Sequence, residues 1–85
     1  MTLTEIIKAD VEYMRYVTVE VDSAFGFVTI SDDLGVHEGI FMQGEEAEEF
    51  IDQCASLYEE AGDALMYEVE LHLAKSYVEN IWGLA

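Results

Sequence analysis

Between residues 16 and 22 the chain reads YVTVEVD, with Val17, Val19 and Val21 alternating with Thr18, Glu20 and Asp22. A period of two sends successive side chains to opposite faces of an extended backbone, so this segment specifies a strand with one buried and one wetted face. A helix cannot use that pattern. Upstream the period changes. Leu3, Ile6, Ile7, Val11 and Met14 fall at helical spacings behind a Thr2-x-x-Glu5 capping box, which predicts a first helix ending near Met14. Downstream, FGFVTIS (25–31) predicts a second strand, joined to the first across a tight junction at Ser23 and Ala24. SDDLG (31–35) is a turn cluster, and VHEGIFM (36–42) predicts a third strand. Three strands joined by short turns make an antiparallel meander.

Gly44 then leads into a second helix with two unlike sides. At 100° per residue, Glu45, Glu46, Glu48, Glu49, Asp52, Glu59 and Glu60 share an arc of about 160°. Ala47, Phe50, Ile51, Cys54, Leu57, Tyr58 and Ala61 fill the other sector. Glu45, Glu46, Glu48, Glu49 and Asp52 stand at i,i+3 and i,i+4 spacings, where each like-charge pair costs a few tenths of a kcal/mol. Glu45 and Glu46 suit the positive pole of the helix, whereas Glu59 and Glu60 sit near the negative one. Gly62 is the expected C-cap, and Asp63 the expected N-cap of the next helix.

In the last helix, ALMYEVELHLAKSYVENIW, Leu65, Met66, Val69, Leu73, Tyr77 and Ile81 form one apolar face. Tyr67, Leu71, Val78 and Trp82 form a second stripe, and Glu68, His72, Lys75, Ser76 and Glu79 a narrow polar sector. A helix of this kind is covered on two sides. The sheet and the acidic helix can supply both covers, or a second copy of the chain can supply one through Tyr67, Leu71, Val78 and Trp82. The expected architecture is a single α+β domain over residues 1–85, in the order α-β-β-β-α-α, with helices packed on one face of the meander.

Nineteen acids face only Lys8, Arg15 and Lys75, for a formal net charge of −16. Such a field repels nucleic acid and anionic membranes and attracts basic proteins. The apolar fraction of 52% supplies a core, yet no apolar run approaches the roughly 20 residues that span a bilayer. A single cysteine, Cys54, cannot form an internal disulfide, and no signal pattern opens the chain, so a reducing cytoplasm is the expected setting.

The residues of chemistry are sparse. His37 adjoins Glu38 in an expected strand, which turns the two to opposite faces, and His72 lies on a polar helix edge. No zinc-ligand spacing occurs, and Asp32 and Asp33 lack the spacing of a calcium loop. Cys54 falls on a core face with no base in view, and no phosphate-binding loop is present. No catalytic residue, metal or cofactor is expected, and the chain reads as a non-enzyme.

The acidic arc has another use. From Glu45 to Glu60 the helix rises about 22 Å, roughly one carboxylate per 3.2 Å, against about 3.4 Å between charges on one nucleic-acid strand. Asp32, Asp33 and Glu38 extend the acidity beyond the helix. With the opening TEII, the strand YVTVEV, the turn SDDLG and the acid-led helix GEEAEEFI, the layout resembles the small acidic anti-CRISPR proteins of phages and mobile elements. Among these it is most similar in layout to inhibitors that mimic DNA over the PAM-reading surface of an RNA-guided nuclease. The last helix departs from that pattern, being apolar on two faces where those inhibitors crowd acids.

The resemblance implies an inhibitor that occupies the nucleic-acid site of a basic protein, in the host cytoplasm if phage-encoded. The helix acids would be the principal contacts, with Asp32, Asp33 and Glu38 secondary. The alternative is an acidic dimeric adaptor, like a secretion chaperone, gripping another chain with apolar surface while its charge serves solubility. Adaptation to high intracellular salt would also explain the acidity.

Overall fold

A computed structural model describes residues 1–83 of the chain. The order is α1 (Leu3–Tyr13), β1 (Val17–Asp22), β2 (Phe27–Asp32), β3 (Ile40–Gln43), α2 (Glu45–Ala61), a 3-10 turn (Asp63–Leu65) and α3 (Met66–Ile81). The strands form one antiparallel sheet in the order β1-β2-β3, with Val19 opposite Ile30 and Ile30 opposite Ile40. This is the expected α+β arrangement, α-β-β-β-α-α.

Period-two patterning sets which face is covered. Val17, Val19, Val28, Ile30, Ile40 and Met42 point inward and are buried with Ile7 and Met14 from α1, Ala47, Phe50 and Cys54 from α2, and Val69, Leu71, Ala74 and Val78 from α3. Burying each of the larger side chains contributes about 1.5–3 kcal/mol. α2 and α3 lie against the sheet and against each other, and α1 packs on α3. The capping box acts as expected at its first half: Thr2 Oγ1 accepts the Glu5 N–H at 3.3 Å.

Three boundaries differ from the expectation, each for a local reason. The β1–β2 connection is a four-residue turn, Ser23 to Gly26, in which Asp22 Oδ1 accepts the Phe25 N–H and Asp22 O accepts the Gly26 N–H. Gly26 has φ +72°, which a side chain would strain. The third strand begins at Ile40, not Val36. The carboxylate of Asp32 accepts backbone N–H groups of Leu34, Val36 and His37 at 2.8–3.0 Å, which gathers residues 33–37 into a compact loop. His37 and Glu38 are therefore not strand neighbours on opposite faces. Finally, Asp63 does not cap α3: it opens the 3-10 turn, and the cap position of α3 is Leu65, without a side-chain bond.

Candidate partner-binding surface

The acids of α2 form one exposed surface. Gly44, at φ +67°, turns the chain out of β3 and its carbonyl accepts the Glu48 N–H at 3.0 Å. Phe50, Cys54 and Ala47 are drawn into the core, and this fixes the rotation of the helix. Glu45, Glu46, Glu48, Glu49, Asp52, Glu59 and Glu60 are left in solvent. Among the described residues none of the seven makes an ion pair. Their field reaches inward: the Tyr77 phenol is raised above its ordinary range by burial first, and then by Glu46 and Glu49.

The three secondary acids stand apart from that surface. Asp32 lies at the end of β2 opposite the Ser23–Gly26 turn, whereas that turn lines a depression together with Glu48 and Asp52. Both carboxylate oxygens of Asp32 already accept internal N–H groups. Desolvation opposes its ionisation, but the amides of Leu34, His37 and Val36 outweigh it and hold the pKa below the usual range. Asp33 accepts the Thr18 hydroxyl at 2.9 Å. Glu38 keeps an exposed side chain while its carbonyl accepts the Trp82 indole N–H at 2.9 Å. Asp32 is thus an organiser of its loop rather than a free contact.

The second stripe of α3 is not a surface. Leu71 and Val78 are 1% and 0% exposed inside the subunit's own core, because α1 and the sheet cover that side of the helix. Trp82 stacks on His37 with ring centroids 4.9 Å apart. Tyr67 is partly exposed but donates its hydroxyl to Val17 O at 3.1 Å. These four residues do not make a shared apolar patch for a second copy to cover.

Two polar constellations escaped the sequence reading. Asp10, 5% exposed, accepts from Lys75 Nζ at 3.0 Å and bonds His72 Nδ1, tying α1 to α3. It lies on the wall of an open groove of about 830 Å³ that also touches Glu46 and Gln53. Tyr58 donates its hydroxyl to Glu70 at 2.9 Å beside buried Cys54, whose thiol burial pushes up to about 12. A thiol held there is protonated at neutral pH and is no nucleophile. Among the described residues no group of three or more His, Cys, Asp or Glu is placed to hold a metal ion, and no helix is long and apolar enough to cross a membrane.

A third feature lies on the side of the sheet that no helix covers among the described residues. Phe27 and Phe41 point outward there with Thr18, Glu20, Thr29 and Gln43, and Phe25 joins them from the turn. The parity was available in the sequence: if Val28 is inward, Phe27 is outward. No protein-family model matches the chain, and neither a curated protein nor a solved structure shows significant similarity to it.

Proposed function

We propose that the chain is a non-enzymatic inhibitor acting by nucleic-acid mimicry, its acidic surface occupying the DNA- or RNA-binding site of a basic target such as a CRISPR effector nuclease. The observation that supports this most is the α2 ridge: seven exposed carboxylates on one face and no cation among the described residues to answer them. Left in water, that ridge destabilises its own helix. In a groove lined with arginine and lysine the same carboxylates are desolvated and accept charge-assisted hydrogen bonds, which reverses the sign of their contribution. Glu45, Glu46, Glu48, Glu49, Asp52, Glu59 and Glu60 are the contacts; Glu38 and Asp33 are auxiliary, and Asp32 shapes the loop that carries them.

The test is competition. A guide-loaded RNA-guided nuclease is titrated with the protein against a labelled target duplex, from about 50 to about 200 mM salt. The expected result is displacement of the duplex that weakens steeply over that range, as phosphate contacts do. The triple variant Glu48→Lys, Glu49→Lys, Asp52→Lys should fail to compete while retaining the wild-type circular dichroism. Equal competition by that variant would remove α2 from the site.

A further inference from the structure

We propose that the open face of the sheet is a seat for an arginine-bearing segment of a basic partner protein, stacked on Phe25, Phe27 and Phe41 and held by the carboxylates of Glu20 and Asp52 at its rim. This rests on the reading of the protein as a ligand of basic targets and adds a second, chemically distinct contact to it. Phe25 is 78% exposed and Phe41 56% exposed. The rings form a ladder, with centroids 6.2 Å apart from Phe25 to Phe27 and 5.6 Å from Phe27 to Phe41. Single exposed apolar residues are ordinary, but a contiguous run of three phenylalanines on an uncovered sheet marks a contact surface.

Its surroundings select the occupant. On one side of the turn, Phe27 and Thr29 share a depression of about 480 Å³ with Glu20 and Asp22. On the other side, Phe25 shares one of about 420 Å³ with Glu48, Ile51 and Asp52. Glu20 is opposite Thr29 and thus diagonal to Phe27, within reach of a group lying on that ring. The three bases of the chain lie elsewhere, at Lys8 in α1, Arg15 just after it and Lys75 in α3.

A second copy would bring the same −16 charge and set like carboxylates against one another. A purely apolar segment would cover the rings but strip water from Glu20 and Asp52 without replacing it. A guanidinium does both tasks, lying flat on the negative face of an aromatic ring while its N–H groups reach carboxylates. Lysine, a compact and strongly hydrated point charge, does so less well.

Nona-arginine and nona-lysine peptides, titrated at about 50 mM salt into the isotopically labelled full chain, separate the outcomes by NMR. The expected result is that nona-arginine moves the ring signals of Phe25, Phe27 and Phe41 and binds about two- to fivefold tighter than nona-lysine. Phe41→Thr, suited to a strand, should erase that preference, and Phe25→Ser in the turn should reduce it if Phe41→Thr does not fold. Shifts confined to α2 amides with no arginine preference would overturn the seat and leave the proposed function standing. Ring shifts that persist in a Glu45→Lys, Glu46→Lys, Glu59→Lys, Glu60→Lys variant, which leaves Asp52 in place, without shifts at those four residues in the wild type, would support the seat and remove them from the contact. Ring signals that move with protein concentration in the absence of peptide would assign the face to a second copy. Absence of any binding would overturn the seat outright.

Discussion

Asp10 and Glu48 are both acids on amphipathic helices, and they have opposite circumstances. Asp10 has a side chain 7% exposed, with His72 and Lys75 drawn up to it from a helix more than sixty residues away in sequence. Glu48 stands in solvent between other acids. A buried carboxylate without partners would carry a desolvation cost far above the few tenths of a kcal/mol that a solvated neighbour imposes. One of the three cations, Lys75, therefore sits where burial demands it. The α2 ridge is what the fold can leave uncompensated, and a partner is what would compensate it.

Removing Asp10 should break the better-compensated region with the largest effect. Asp10→Ala leaves His72 and Lys75 without their acceptor and opens the α1–α3 contact. Breaking a buried pair costs about 3–5 kcal/mol, and because the Lys75 side chain is 37% exposed the expected loss is smaller, about 2–3 kcal/mol. For a domain of this size that lowers Tm by roughly 10–20 °C. Asp10→Asn, which keeps an acceptor, should lose less. A thermal melt showing Asp10→Ala within about 2 °C of wild type would mean that solvent already satisfies the cluster.

The same treatment of α2 should act in the other direction. Glu59 and Glu60 stand near the negative pole of the helix, with Asp63 four and three residues on, so Glu59→Lys with Glu60→Lys is expected to raise stability by about 0.5–1 kcal/mol at low salt. The gain should shrink at about 0.5 M salt, where the Debye length is only a few ångströms. The Asp10→Ala loss, arising between partly buried groups, should change little over that range. A charge reversal on α2 that destabilised the protein would show that the ridge has internal partners after all.

This contrast also divides what the sequence disclosed from what it did not. The valine alternation of β1, the two sectors of α2 and the Gly62 stop are local signals, and local physics settles them. Asp10 pairs with residues 62 and 65 positions away, so no window over α1 or α3 contains the interaction. His72 and Lys75 therefore read as a wetted polar edge. Val36–Glu38 carries strand-forming residues, but the Asp32 carboxylate takes three N–H groups of that loop and delays β3 to Ile40. Tyr67, Leu71, Val78 and Trp82 are a correct sign of a helix covered twice. Which bodies cover it is a tertiary fact: α1 takes the place that pattern alone would equally offer to a second subunit. The aromatic ladder was hidden for a different reason, since phenylalanine on a strand suggests core until its parity with Val28 is worked out.

The smallest expected effects set two partly exposed acids against each other, and their signs oppose. Burial pushes the Glu70 carboxyl above its ordinary 4.5, only partly offset by the Tyr58 hydroxyl. Just above that pH the folded protein holds a proton that the unfolded chain has released, so stability falls as pH rises through the window. Asp32 is the reverse. Its pKa lies below 3.8 because three amides prevail over desolvation, so its contribution is present above that pH and is lost as pH falls through the lower folded value. Urea midpoints between about pH 3 and about pH 7 should separate them. Glu70→Gln, which keeps an acceptor for Tyr58, should gain on wild type as pH rises, because the charged form it removes is the costly one. Asp32→Asn should fall behind wild type at neutral pH and converge with it toward pH 3, as the wild-type carboxylate protonates and loses its hold on the amides of residues 34, 36 and 37. If both variants tracked wild type in parallel across the range, neither carboxylate would be linked to folding, and the distinction between acids the fold uses and acids it leaves free would rest on Asp10 alone.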